Sequence, residues 1–251
     1  MGGVGQPLVG VDTETTGVDV DTDRIVTAAL VRRTPGGTTV GSWLIDPGVE
    51  IPAGATAVHG ITTEHARRFG CAPREALEEI AGALAAAVTR AEPVVAFNAS
   101  FDLTLLDAEL RRHALPTLPE RLGHPVRAVL DPLVLDRDLD RYRPGKRRLG
   151  DLCAHYGVAA DGLHAAEADV VATLDVLAAM ANRFPVLTRL DPDELHDRQV
   201  MAHRRWAEQF NAWRLSEGIT GPGAETTWPS RLPAVAAAAR SAQVAQVARA
   251  S

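Results

Sequence analysis

Short apolar runs open this chain. Leu8, Val9, Gly10 and Val11 lead into Asp12 and end before Gly17, the pattern of a buried strand. Residues 24–33 (RIVTAALVRR) and 38–46 (TTVGSWLID) form two more runs, joined by Thr34-Pro35-Gly36-Gly37, whose proline and glycines punctuate a hairpin. An antiparallel meander of three strands is predicted. Residues 73–90 are dense in Ala, Leu and Glu behind Pro73, a helix by propensity and by the preference for proline in the first turn. Residues 93–97 (PVVAF) read as a short buried strand, residues 100–113 as a helix with Ser100 as its N-cap, and residues 126–130 as a fifth strand. Helices are predicted over 149–156 and 165–184, the second carrying Val170, Leu174, Leu177 and Ala181 at spacings of three and four.

Strands followed by alternating helices and strands predict an α/β domain, a mixed central sheet flanked by helices, over residues 1–184. Beyond it Asp191-Pro192-Asp193-Glu194 is a helix start with a cap, a proline and early acids, and it opens a helical extension over 185–217. Leu195, Ala202, Trp206, Phe210 and Trp213 would share one buried apolar stripe. From Gly218 to Ser251 the composition turns to Gly, Pro and Ala, predicting a flexible tail.

Composition changes this picture little: 46% hydrophobic and 23% charged residues in 251 describe an ordinary globular chain. The apolar stretch 80–88 is far short of the ~20 residues that cross a bilayer, no signal peptide is readable before Asp12, and the two cysteines, Cys71 and Cys153, fit neither a disulfide framework nor a zinc site. A cytoplasmic protein with no membrane partner is expected. The net charge of −6 argues against a protein that coats nucleic acid.

The acids are placed to do chemistry. Asp12 and Glu14 stand two apart at the end of the first strand, so both project from one face at a position where open α/β sheets carry their sites. Paired carboxylates repel unless a cation or proton intervenes, and their oxygens are the donors that Mg²⁺ and Mn²⁺ prefer. Asp102 follows the strand 93–97 at a strand-to-helix junction, and Asp169 opens a helix after a run of small residues.

With these residues the chain resembles a family. DTETTG (12–17), NxxFD (98–102) and HxxxxD (164–169), in this order, are similar to the three motifs of the DEDDh 3′-5′ exonucleases, the DnaQ-like family that includes the epsilon proofreading subunit of bacterial replicative polymerases. The resemblance covers residues 7–184 and implies a ribonuclease H-like fold. It implies that Asp12, Glu14, Asp102 and Asp169 hold two divalent cations, Mg²⁺ or Mn²⁺, with His164 as general base in phosphodiester hydrolysis at a 3′ end. It further implies substrate contacts from Thr15, Thr16 and Gly17 through backbone N–H groups, from His59 in a loop of the HGIT type, from Asn98, and from Phe101 as a wedge against terminal bases. The partners implied are DNA 3′ ends, single-stranded or frayed, and a DNA polymerase; RNA end trimming is the alternative. Phe97 stands where many relatives carry histidine.

Two other readings compete. DTETT is similar to the DxDxT motif of haloacid-dehalogenase-like phosphatases, but Glu14 replaces the second Asp and Lys146 is the only lysine in the chain. A non-catalytic binding module would not need all four acids and the histidine. Arg141, Arg143, Lys146, Arg147 and Arg148 form a basic loop expected to meet phosphates, and Asp131 is expected to cap a helix. No QLxLF-type clamp motif is present.

Overall fold

The computed structural model describes residues 6–160 and 162–231. Three antiparallel strands, β1 (Leu8–Thr15), β2 (Ile25–Thr34) and β3 (Gly37–Leu44), form the meander, with the turn at 34–37 as its hairpin. Three helices follow, α1 (Ala53–His59), α2 (Thr63–Phe69) and α3 (Pro73–Thr89), before β4 (Val94–Val95). Then come α4 (Ala99–Arg112), α5 (Leu118–Leu122), β5 (Val129–Leu130), α6 (Pro132–Leu139), α7 (Leu149–Tyr156), α8 (Ala166–Arg183), α9 (Val186–Arg189) and α10 (Pro192–Ser216). The sheet order is β3-β2-β1-β4-β5, with β4 and β5 parallel to β1, so the sheet is mixed and β1 lies at its centre.

Alternation along β1 sorts its side chains between two cores. Val9 and Val11 join Leu77, Ile80, Leu84, Leu103 and Leu110 of α3 and α4 on one face. Leu8 joins Leu152 of α7 and Val170, Leu174 and Leu177 of α8 on the other. Two packed layers on a central sheet need no further cover except at the edges.

One edge is covered by side chains. The fifth strand predicted over 126–130 shortens to two residues because α10 completes its ladder: Val129 N–H donates to His196 Nδ1 (3.3 Å), Asp131 N–H to Gln199 Oε1 (2.7 Å), and Gln199 Nε2 donates to the Val129 carbonyl (2.9 Å). The glutamine carboxamide presents a donor and an acceptor to β5, as a neighbouring strand would, while its second N–H donates to the Leu195 carbonyl (3.0 Å), and it closes an edge otherwise open to pairing. Gln199 is fully buried, so Gln199→Ala leaves an N–H and a C=O without partners at about 1–3 kcal/mol each. Urea denaturation is expected to show a loss of about 2–4 kcal/mol; a loss below 0.5 kcal/mol would mean water replaces the amide there.

Two readings are corrected by local chemistry. Ser100 is not the cap of α4; Asn98 is, in the left-handed conformation (φ 62°), and Asp131 receives the N–H groups of Asn98 and Ala99 as well as capping α6 through Leu133 N–H. The apolar stripe on α10 is not buried throughout: Leu195 and Ala202 are, but Trp206 and Phe210 are half-buried and Trp213 is 51% exposed. The α10 start is as read, Asp191 and Glu194 forming a capping box. After α10 the chain to Arg231 turns back along it, held by Asn211 to Ala224 (2.7 and 2.8 Å), His203 Nε2 to the Glu225 carbonyl (3.0 Å), and Arg231 N–H to Thr104 Oγ1 (3.0 Å). The Ala-rich part of the tail lies outside the described residues. Among the described residues no helix is long and apolar enough to cross a membrane.

Candidate active site

Strand β1 turns polar where the sheet runs out. Its pairing with β4 ends at Gly10, while pairing with β2 continues to Thr15 past a register shift between Glu14 and Thr15. One flank of the strand is therefore open from Val11 onward, and Asp12 and Glu14 project there on the face covered by α8. A helix N-terminus delivers the third acid: Asp169, in the first turn of α8, brings an oxygen within 4.8 Å of oxygens of both Asp12 and Glu14.

Asp102 reaches the same end from the opposite face. It sits in the first turn of α4, is buried, and accepts a 2.7 Å hydrogen bond from Thr13 Oγ1, on the strand residue between the two acids. Alternation explains why it stands beside the three-carboxylate group and not within it. Thr13 is a positioning residue that the motif reading passed over; its signal is the odd register between two site acids.

The electrostatics of the group are unfavourable as it stands. Asp12 keeps some exposure as a residue, but its carboxyl is desolvated, and burial, then Asp102, Asp169 and Glu14, hold its pKa well above the usual carboxylate range. Burial, then Asp169 and Asp102, push Glu14 up to about 7, and burial pushes Asp102 up to about 7 against the Thr13 hydrogen bond. Asp169 is raised by burial, although His164 N–H donates to it at 3.1 Å. Hard carboxylate oxygens converging from two elements, destabilised as anions by each other, fit a divalent cation such as Mg²⁺ or Mn²⁺.

A cleft of about 410 Å³ adjoins the acids, lined by Glu14, His59, Ile61, His164, Trp43 and Glu167 among others. The two histidines differ. His59 is the last residue of α1, followed by left-handed Gly60, and not part of a loop as read from the sequence. Its Nδ1 accepts from Ile61 N–H (3.1 Å), and its Nε2 is buried with no hydrogen-bond partner among the described residues; burial lowers its pKa. His164 is exposed, its backbone at φ 76° and pinned to Asp169, so its imidazole is open to water.

The expected nucleotide-contact residues divide. Thr16 does not offer its N–H, which donates to the Arg24 carbonyl (2.9 Å), and its hydroxyl donates to Asp23 (2.8 Å). Thr15 Oγ1 donates to the Gly17 carbonyl (2.6 Å), and Gly17 lies so close to Asp23 that a Cβ there would meet its oxygen at 2.5 Å. Asn98 is exposed, with no side-chain hydrogen bond among the described residues, and Phe101 is half-buried against the α3/α4 core. The basic loop is only partly free: Arg143 and Arg147 hold the fully buried Asp136 at 3.0 and 2.6 Å, where Tyr156 also donates, so these two arginines brace the loop. Arg147 is thus a poor choice for a phosphate contact.

Gly10 sets the distance between β1 and α8. A Cβ there would collide with Val170 Cγ1 and meet Leu174 Cδ2 at 3.1 Å, and Val170 follows Asp169 directly. Gly10→Ala is expected to cost about 1–3 kcal/mol by overpacking and to weaken divalent-cation binding measured by calorimetry. Gly82→Ala, with open space around it, should be harmless to both. Unchanged metal affinity in Gly10→Ala would show that this contact does not place Asp169.

Three kinds of comparison bear on the site. The family described as RNase_T, Exonuclease, matches residues 9–177. DNA polymerase III PolC-type of Streptococcus thermophilus (strain CNRZ 1066) is 35% identical over 165 residues, which is 64% of this chain and 10% of that protein. The corresponding protein of Streptococcus agalactiae serotype III (strain NEM316) is 32% identical over 165 residues with the same coverage. The chain thus spans about a tenth of the length of the curated relatives it matches. Among solved structures, E. coli Exonuclease I in complex with a dT13 oligonucleotide aligns at a TM-score of 0.60 and 21% identity, over 72% of this chain and 42% of that one. Exonuclease I from Methylocaldum szegediense aligns at 0.59 and 23%, over 83% and 46%. At these identities the likeness shows the fold, and the ribonuclease H-like fold expected from the motifs is the fold observed.

Proposed function

Because this chain belongs to the exonuclease family, in its DnaQ-like branch, we propose that it is a metal-dependent 3′-5′ exonuclease acting on DNA ends and releasing nucleoside 5′-monophosphates. The observation that carries the reading is the convergence of Asp12, Glu14 and Asp169 within 4.8 Å at the open end of the central strand. Asp12, Glu14 and Asp169 would hold divalent cations directly, and Asp102, held by Thr13, would complete the acidic wall from the other face. Two bound cations supply Lewis acidity to the phosphoryl oxygens and offset charge on the attacking and leaving oxygens.

The chain's own groups do the rest. His164 is the base that takes the proton of the attacking water: it lines the cleft beside Glu14, and its imidazole is exposed and can accept a proton. His59 is unsuited to that task, since both ring nitrogens face inward; it contributes its ring as a wall for the terminal nucleotide. Asn98 and Phe101 stand at the start of α4 beside Asp102, the amide free to donate and the ring able to stack on a base. Thr15 and Gly17 shape the turn against which the nucleotide would lie, with no hydrogen bond from Thr16.

DNA is favoured over RNA by the 35% identity to PolC-type polymerases and by the Exonuclease I neighbour in complex with dT13, and the PolC-type relatives support a polymerase as partner. Residues 1–184 would be the catalytic unit, 185–217 an extension that seals the β5 edge, and 218–251 a tail. The test is incubation of 5′-labelled single-stranded DNA, mismatched duplex DNA and short RNA with the protein and Mg²⁺ or Mn²⁺. Stepwise shortening of the DNA substrates supports the reading; preference for RNA would replace it with end trimming, and no shortening of any end would remove it.

A further inference from the structure

Four arginines line a second pocket, of about 270 Å³, between α6, the loop after it and α10. Their partners are unequal. Arg147 is spent on Asp136 and on carbonyl oxygens, and Arg205 shares Asp138 with Arg198. Among the described residues Arg141 donates to the neutral Gln209, at 2.9 Å, and to no carboxylate. Arg137 makes no hydrogen bond or ion pair among the described residues; its guanidinium lies 3.7 Å over the ring of Trp206, which is itself backed by Phe210 at 5.4 Å. Stacking on Trp206 holds the Arg137 guanidinium at the pocket wall; burial lowers its pKa to about 10, Asp131 and Asp136 act on it through space, and no carboxylate is hydrogen-bonded to it among the described residues.

We propose that this pocket binds a phosphate group of the nucleic-acid strand whose 3′ end lies at the acid cluster, an inference that rests on the exonuclease reading. The guanidinium groups come from α6, the loop after it and α10, and the one carboxylate in the lining, Asp138, is already paired with Arg198 and Arg205; several arginines around one space suit a phosphate, whereas a planar carboxylate is satisfied by one arginine fork. The surroundings extend the site. Residues 137–148 carry six basic side chains against two acidic ones in a chain of net charge −6, and Lys146 and Arg148 among them are exposed. The pocket is also tied to the acids: Asp131, the N-cap of α6, anchors the start of the helix that carries Asp102, and Arg137 lies six residues along α6, about 9 Å of helix rise. A strand gripped here and at the acids would be held at two points, so affinity should grow with length.

The test measures binding of labelled dT3 and dT12 in Ca²⁺, over a range of salt, for the wild type, Arg137→Gln and Arg141→Gln. Arg141 is exposed, so its variant remains informative if Arg137→Gln fails to fold, as judged by its melting curve. Either variant is expected to bind dT12 about tenfold more weakly and dT3 less than twofold more weakly, with the log–log salt slope for dT12 reduced by about 0.7 per lost contact. Equal losses on dT3 and dT12 in both variants would overturn the proposal, as would no loss on either. Arginine-dependent binding of inorganic phosphate, dTMP or an aspartate-rich peptide with dT12 binding untouched would also overturn it, assigning the pocket to a free anion or a protein. Mg²⁺-dependent shortening by the wild type is scored separately, so a failure of the exonuclease reading is distinguishable from a failure of this site.

Discussion

Asp12→Asn is expected to lower Mg²⁺-dependent shortening of a 5′-labelled oligonucleotide by about 10²–10³-fold while raising the melting temperature of the metal-free protein. The two effects have one cause. Asp12 stands at the centre of the acid group, its charge opposed by burial and by Asp102, Asp169 and Glu14 together. Removing that charge relieves the folded state, and each kcal/mol regained is worth about 2–4 °C in a protein of this size. It also removes a cation ligand, and loss of one such preorganised electrostatic element costs on the order of 10²–10³ in rate even when the rest of the site survives. A purely structural aspartate behaves in the opposite way: its loss lowers stability, and activity falls only as the protein unfolds. Melting curves in EDTA beside rates in Mg²⁺ separate these cases, and a destabilised, active Asp12→Asn would end the assignment.

The site acids were legible because strand alternation and helix starts are local properties. Asp12 and Glu14 share a face by counting, Asp169 follows a run of small residues, and Asp131 reads as a cap from its place before Pro132. What escaped depends on distance. No local pattern separates Asp102 from the other three acids; the separation follows from α4 packing on the face of β1 opposite to α8. Arg147 reads as free charge in RYRPGKRR because Asp136, eleven residues earlier, is recognised as its partner only once α6 folds beneath the loop. The strand over 126–130 was overdrawn for a similar reason, since His196 and Gln199, some seventy residues on, serve as its neighbour. Helix α1 buries none of its residues and α2 only Ala66, so no apolar periodicity declares them. Asn98 entered α4 as a left-handed cap that competes with the stronger capping propensity of Ser100.

In the metal-free protein, raising the pH from 6.5 to 8 is expected to lower the melting temperature, and saturating Mg²⁺ to reverse the loss. The folded state holds Glu14 and Asp102 at about 7, whereas an unfolded carboxylate releases its proton near ~4. The folded state therefore binds more protons than the unfolded state through this window, and stability falls as pH rises through about 7. His196 works in the other direction: burial pushes it down to about 4, so its contribution is complete above the unfolded value near ~6.5 and is lost as pH falls toward 4. The two limbs overlap below ~6.5, and above it the carboxylates act alone, which is why the window begins there. Divalent cations bind the deprotonated acids, so their stabilisation must grow over the same interval. At a hundredfold excess over Kd it reaches about 2.7 kcal/mol, roughly 5–10 °C here. Asp169→Asn, which leaves two of the three clustered carboxylates, should flatten both the pH dependence and the response to Mg²⁺. A Mg²⁺-induced shift of the same size at pH 6.5 and pH 8 would mean that the ion binds elsewhere than at these acids.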